Sequence, residues 1–303
     1  MPSIFVQISA YRDKELTATI LDAIKQSSGN HDINFGVHFV YLEESEINVP
    51  DLPNVKYATS KAPENVGVGV GRHIAHQFYN SEDFYFQCDS HSRFVKGWDE
   101  IAIHSVLDYQ IQGIDKPLLT MYPANYWYKD LTFTEIETDV MDILYRTNIS
   151  FKEKPEDFKN LRIPSQLAVP CKDNVFTKSV SAGCIFTVGP FMPPNKDMAF
   201  WGEEILIAAR SYTHGYYLMV PKQQFMYHLY YNWSNTEINR RKIFWEDFPN
   251  EFESMNKKSR DLVYKVLMEG LIGEGLLGTE RTLADYGVFA GLDFINGEVL
   301  ENC

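Results

Sequence analysis

The sequence predicts an α/β protein built on a mostly parallel sheet flanked by helices. Two observations carry that expectation. Over the first 120 residues, short apolar runs alternate with helical periodicities, the pattern of βαβ units. The run FYFQC, 84–88, then turns abruptly polar at Asp89-Ser90-His91, as a buried strand does when it reaches the edge of a sheet.

The elements follow in order. IFVQISA, 4–10, is the first strand. Residues 13–27 place Leu16, Ile20, Ala23 and Ile24 at helical spacing, and Ser27-Ser28-Gly29-Asn30 stops the helix. INFGVHFVYL, 33–42, is rich in β-branched and aromatic residues and predicts a second strand. Pro50 and Pro53 break the chain before a third at 55–60. GVGVGRHIAHQFY, 67–79, reads as a loop entering a helix. A strand at 84–88, a helix at 98–112 and a strand at 117–123 complete the alternation. Residues 124–181 are less regular and rich in Asp, Glu, Lys and Pro, which predicts an insertion over the sheet edge near an acceptor site. AGCIFTVG, 182–189, resumes a strand. FWGEEILIAARSYTHG, 200–215, is a loop and a helix closed by Gly215. Residues 216–231 form one more apolar run containing His228, and a helix is predicted at 255–270. The simplest division is a catalytic domain, 1–235, and a C-terminal helical extension, 236–303, packed on it.

Composition bounds the function. The chain has 303 residues, 45% hydrophobic and 23% charged, enough for a large core. No apolar run approaches the roughly 18 residues a membrane helix needs, and MPSIFVQISAYRDKE reads as a first strand rather than a signal peptide. The net charge of −13 works against nucleic acid and anionic lipid as partners. A phosphorylated substrate would therefore need local positive charge, and a metal ion is one source. Cys88, Cys171, Cys184 and Cys303 form no CxxC pair, which predicts reduced thiols and a cytoplasmic protein.

Asp89 and His91 stand two residues apart. In extended backbone both side chains point to one side and can grip one cation. A mixed oxygen and nitrogen shell, completed by phosphate oxygens, suits Mn²⁺ or Mg²⁺ better than structural zinc. The bland alternative is a surface D-x-H in a loop. Its place just past a buried strand, where open sheets bind their ligands, favours the functional reading. His228, among aromatics, is either a hydrogen-bonded core residue or the third ligand. GVGVGR, 67–72, is not G-x-G-x-x-G and does not lie at the first βα turn, so a nicotinamide site is disfavoured. Its glycines serve close backbone approach at a helix start, and Arg72 pairs with either an acidic residue or a phosphate. Glu203 and Glu204 follow Trp201-Gly202 at a helix N-terminus, where they either cap the helix or hold sugar hydroxyls. Trp201 either stacks on a sugar face or fills the core.

Taken together, ISAYRD, GVGVGRHIA, DFYFQCDSHSRFVKGWDE, SAGCIFTVGPF, FWGEEILIAARSYTHGY and YHLYY resemble one group. It is the N-acetylglucosaminyltransferases that modify hydroxyproline on a cytoplasmic polypeptide, glycosyltransferase family 60, with their bacterial and viral relatives. LLGTERTLADYGVFAGLDF, 276–294, resembles the same group, and the similarity spans most of the chain except much of 124–181. More distantly the chain is similar to polypeptide N-acetylgalactosaminyltransferases, which also use a D-x-H. The resemblance implies a GT-A fold, a UDP-sugar donor and a divalent cation, usually Mn²⁺. It implies that Asp89, His91 and His228 bind the metal and that Ser9, Tyr11 and Arg12 line the nucleotide pocket. Arg72 would sit near the nucleotide or the D-x-H loop, Gly183 would admit the donor sugar, and Glu203 and Glu204 would lie at the sugar or acceptor. The expected activity is metal-dependent, retaining transfer of GlcNAc from a UDP-sugar to an acceptor hydroxyl on protein. The alternatives are a saccharide, lipid or modified-nucleobase acceptor, or a GT-A-like module that binds UDP-sugar without turnover.

Overall fold

The computed structural model describes residues 1–129, 136–139, 145–150, 165–171, 176–230, 241–294, 296 and 298–300. In chain order the elements begin β1 (Ser3–Tyr11), α1 (Leu16–Gln26), β2 (Asp32–Tyr41), β3 (Val55–Lys61), α2 (Val68–His76), β4 (Phe84–Asp89) and β5 (Ser92–Phe94). They continue with α3 (Trp98–Ile111), β6 (Pro117–Thr120), β7 (Ala124–Tyr128), β8 (Ile136–Thr138), β9 (Tyr145–Ser150), β10 (Ser165–Pro170) and β11 (Cys184–Val188). The last are α4 (Glu203–Thr213), β12 (Tyr217–Met219), β13 (Met226–His228), α5 (Phe244–Asp247), α6 (Pro249–Glu269) and α7 (Leu283–Ala290), with a short β14 (Leu292–Asp293) and β15 (Glu298–Val299) pair.

Seven strands form the central sheet in the order β12-β6-β11-β4-β1-β2-β3. All run parallel except β11, which is antiparallel to both of its neighbours. β1 is buried on both faces, as a central parallel strand must be. Its alternate residues feed two cores. Ile4, Val6 and Ile8 pack with Leu16, Phe35, Phe86 and Trp98 on one side, and Phe5 packs with Tyr85, Leu206 and Val263 on the other. Trp98 is fully buried, and its indole N–H donates to Ala23 O at 2.9 Å, which ties α3 to α1. The glycine run works as close packing: a methyl on Gly69 would collide with the backbone carbonyls of Asn195 and Met198.

Three expectations need correction. The 124–181 segment carries strands of its own, and β7 and β8 join β5 and β13 in a second sheet, ordered β5-β13-β7-β8. The apolar run at 216–231 is two strands in two different sheets, β12 and β13, separated by Pro221. The long C-terminal helix begins at Pro249, where proline's missing N–H costs nothing, not at 255. Val263, Val266 and Leu267 of this helix are buried in the core that holds Phe5 and Leu206. Among the described residues no helix is long and apolar enough to cross a membrane.

Candidate active site

A cleft of about 600 Å³ opens beyond the carboxyl ends of β1, β2 and β4. Ser9, Tyr11 and Val40 line one wall; Tyr122 and residues 181–183 line another. The start of α4, the end of β13 and residues 241–245 complete the rim.

Asp89 ends β4 in register with Ser9 of β1, so both side chains reach the cleft. The chain then turns through Ser90 and His91 into β5. His228 of β13 is registered against Ser92 of β5, and Leu229 N–H donates to His91 O at 3.0 Å. This pairing brings together histidines that are far apart in sequence. Their Nε2 atoms lie 3.1 Å apart. His228 Nε2 is 3.1 Å from Asp89 Oδ2, and His91 Nε2 is 3.9 Å from it. Asp89, His91 and His228 thus offer three ligand atoms within 4.8 Å of one another. Both histidines are buried, and among the described residues Nδ1 of His228 has no hydrogen-bond partner. Burial lowers the His228 ring to about 4, although the Asp89 hydrogen bond works the other way, so the ring is neutral and available to a cation at pH 7.

Gly183 stands directly over this set. A Cβ there would lie 2.5 Å from Asp89 Oδ2. Asp89 also accepts from Arg72 at 3.1 Å. Burial would raise the Asp89 carboxyl, but the His228 hydrogen bond and the charges of Arg72 and His91 outweigh it and hold it well below the usual carboxylate range. Arg72 is buried and also pairs with Glu203. One guanidinium therefore serves a cluster of three carboxylates, Asp89, Glu203 and Glu204. Burial, opposed by Arg72, pushes the Glu203 carboxyl up to about 8, and burial raises Glu204 as well. Arg72 stays protonated because the carboxylates outweigh its burial. The two glutamates differ in surroundings: Glu203 is locked to Arg72, while Glu204 accepts from its own backbone N–H and borders the cleft.

The structure brings Ser9, Tyr11, Arg72, Asp89, His91, Gly183, Glu203, Glu204 and His228 to one cleft. Two expected residues lie elsewhere. Arg12 turns away from the cleft to pair with Glu46 and, at 2.5 Å, with Asp247. Trp201 is partly buried against the core formed by Phe5, Leu206 and Val263, and does not line the cleft.

Two residues at the site were not singled out from the sequence. Asp13 is buried, and its Oδ2 lies 2.7 Å from His91 Nδ1. Its signal was its place in the first βα turn. Arg241 lies with its guanidinium against the His91 ring, 3.0 Å from Nδ1 and also touching Nε2. Nothing local in the sequence marks it, because the contact joins distant segments.

The glycosyltransferase (GlcNAc) family model matches residues 51–276, most of the chain and all of the cleft residues except those from β1, the turn after it and β2. This chain belongs to the glycosyltransferase (GlcNAc) family. No curated protein matches it. The glycosyltransferase is similar in fold to GalNAc-T7, solved with UDP, GalNAc and Mn²⁺, at 12% identity and TM-score 0.52, over 97% of this chain and 56% of that one. It also matches TarS 1–349 of S. aureus in complex with UDP-GlcNAc, at 13% identity and TM-score 0.47, over 96% of this chain and 71% of that one. The chain thus spans little more than half of GalNAc-T7. The sheet of this glycosyltransferase, mainly parallel and followed by C-terminal helices, is that of the GT-A transferases.

Proposed function

We propose that the protein transfers a sugar, GlcNAc, from a UDP-sugar to an acceptor hydroxyl on a protein, with retention at the anomeric carbon, and that it needs Mn²⁺ or Mg²⁺. The observation that carries this is the convergence of Asp89 Oδ2, His91 Nε2 and His228 Nε2 inside the cleft. One carboxylate oxygen and two imidazole nitrogens fit a divalent cation that keeps positions for diphosphate oxygens. The fit is supported by three donor atoms within 4.8 Å of one another and by the missing methyl at Gly183. UDP-GlcNAc in TarS, and UDP with GalNAc and Mn²⁺ in GalNAc-T7, support the choice of donor and metal. A bound cation supplies Lewis-acid stabilisation of the departing diphosphate, worth several kcal/mol.

The chain's own groups do the rest. Ser9 and Tyr11 flank the nucleotide. Arg72 fixes Asp89 and is itself held by Glu203. Glu204 faces the sugar and accepts from its hydroxyls. Arg241 and Lys242 add positive charge at the rim of a protein whose net charge is −13, where a diphosphate needs it. Buried Cys88 and Cys184, both unpaired thiols, support a reducing, cytoplasmic setting.

The test is a panel of UDP-sugars scored for Mn²⁺-dependent hydrolysis and for thermal stabilisation. UDP-GlcNAc is expected to raise Tm and to be hydrolysed slowly. His91→Ala is expected to abolish hydrolysis with little change in Tm. Tight UDP binding without hydrolysis or transfer would instead assign a binding module, and full activity of His91→Ala without metal would refute the metal's role.

A further inference from the structure

Asp13 contributes to neither the cleft's charge balance with Arg72 nor the three-atom donor set, yet it is buried directly behind that set. Its Oδ1 accepts from the backbone N–H of Glu15 at 3.0 Å. Its Oδ2 accepts from Ser90 Oγ at 2.6 Å and from His91 Nδ1 at 2.7 Å. The carboxylate is therefore fixed from the α1 side and saturated on the His91 side. The residue next to this anchor is fixed as well. Glu15 is buried in a triad with Arg93 of β5 and Tyr128 of β7, its Oε2 lying 2.6 Å from each. Two strands of the second sheet are thus tied to the turn that carries Asp13.

The hydrogen-bond network allows one tautomer. A carboxylate only accepts, so His91 must carry its proton on Nδ1. Arg241 only donates and lies against both ring nitrogens, so Asp13 is the neighbour that decides between them. In the neutral ring this leaves Nε2 unprotonated, 3.1 Å from His228 Nε2 and 3.9 Å from Asp89 Oδ2. We propose that Asp13 is a positioning residue that fixes the His91 tautomer and ring orientation so that Nε2 is held ready as a metal ligand. The inference rests on the metal reading given above and deepens it. A carboxylate behind a ligating imidazole sets both ring orientation and basicity, and losing it costs metal affinity about 10- to 100-fold.

Two measurements test it without reference to turnover. In the unsubstituted, metal-free protein with ¹⁵N-labelled histidine rings, long-range ¹H–¹⁵N correlations report the His91 tautomer, assigned by comparison with His91→Gln. The Nδ1–H form is expected, and the Nε2–H form would overturn the proposal with no variant needed. In a Mn²⁺ titration followed by the EPR signal of free Mn²⁺, Asp13→Asn is expected to raise Kd about 10- to 100-fold over the unsubstituted protein. An Asp13→Asn protein that is folded by its melting curve and binds Mn²⁺ within about twofold of the unsubstituted protein overturns the positioning role alone, since such a difference falls below that range. If the unsubstituted protein binds no Mn²⁺, the metal reading fails and the positioning role falls with it.

Discussion

At Gly183 a single missing methyl decides what the cleft can hold. A Cβ there would stand 2.5 Å from Asp89 Oδ2, and Asp89 cannot yield easily because Arg72 and His228 hold it at 3.1 Å each. Gly183→Ala is therefore expected to displace the carboxylate and lower kcat/KM for Mn²⁺-dependent UDP-GlcNAc hydrolysis about 10- to 100-fold, as a misplacement near 1 Å does. Its melting temperature should stay close to that of the parent. Unchanged kinetics would show that the cleft relaxes around the methyl. The residues of this site were unequally legible. Asp89 and His91 announced themselves by breaking an apolar run, and Glu203 and Glu204 by sitting at a helix start. Asp13 and Arg241 did not, because a partner made across the fold leaves no mark on local sequence. Arg12 shows the converse: it lies in the expected turn, but Glu46 and Asp247 draw its guanidinium elsewhere.

At the scale of elements, α5 is the clearest case of structure held by packing rather than propensity. Four residues cannot sustain a helix alone. Phe244 is buried against Val40, Ala62 and Val66, and Asp247 accepts from Tyr11 at 2.8 Å and from Arg12 at 2.5 Å. Residues 241–245 border the cleft, so this anchoring also shapes the site. Phe244→Ala removes about 3–5 kcal/mol of packing. It is expected to raise hydrogen exchange at 244–248 and to increase KM for the donor more than it lowers kcat. Protection equal to the parent would mean that the Asp247 contacts alone hold the segment. The strands of the first half were readable because β1, β2 and β4 are buried runs punctuated by Pro, Gly and Asn. The direction of β11 was not, since an antiparallel strand buried between β4 and β6 has the same apolar composition as a parallel one. Nor was the break between β12 and β13, where periodicity alone runs the two strands together.

At the scale of the whole molecule, buried titratable groups set a stability profile with two limbs. Burial lowers His38, His76 and His228 from 6.5 to about 4. Between those values the unfolded chain binds more protons than the native one, so these rings stabilise fully above pH 6.5 and their contribution is lost as pH falls toward 4. Glu203, raised by burial from 4.5 to about 8, acts in the opposite sense and costs stability as pH rises through that range. The lowered rings, His214 among them, outnumber the raised carboxyls Glu203 and Glu204 on the acid side, so urea unfolding is expected to show maximal stability near pH 6.5. His76→Gln should make the acid limb shallower and Glu203→Gln should flatten the alkaline limb. A monotonic rise in stability to pH 8 would contradict the raised carboxyls of the Glu203–Glu204 pair. The backward course of β11 has a consequence of its own. β6 delivers the chain to the rim at Tyr122, and β11 takes it back from Gly183 at the same rim, with Ile185 beside Thr120. The stretch between those two gateposts is tethered at both ends beside the cleft. A change in the length of that detour costs only about 0.6 kcal/mol of closure per doubling, so long insertions there are expected to leave the cleft beneath as it is.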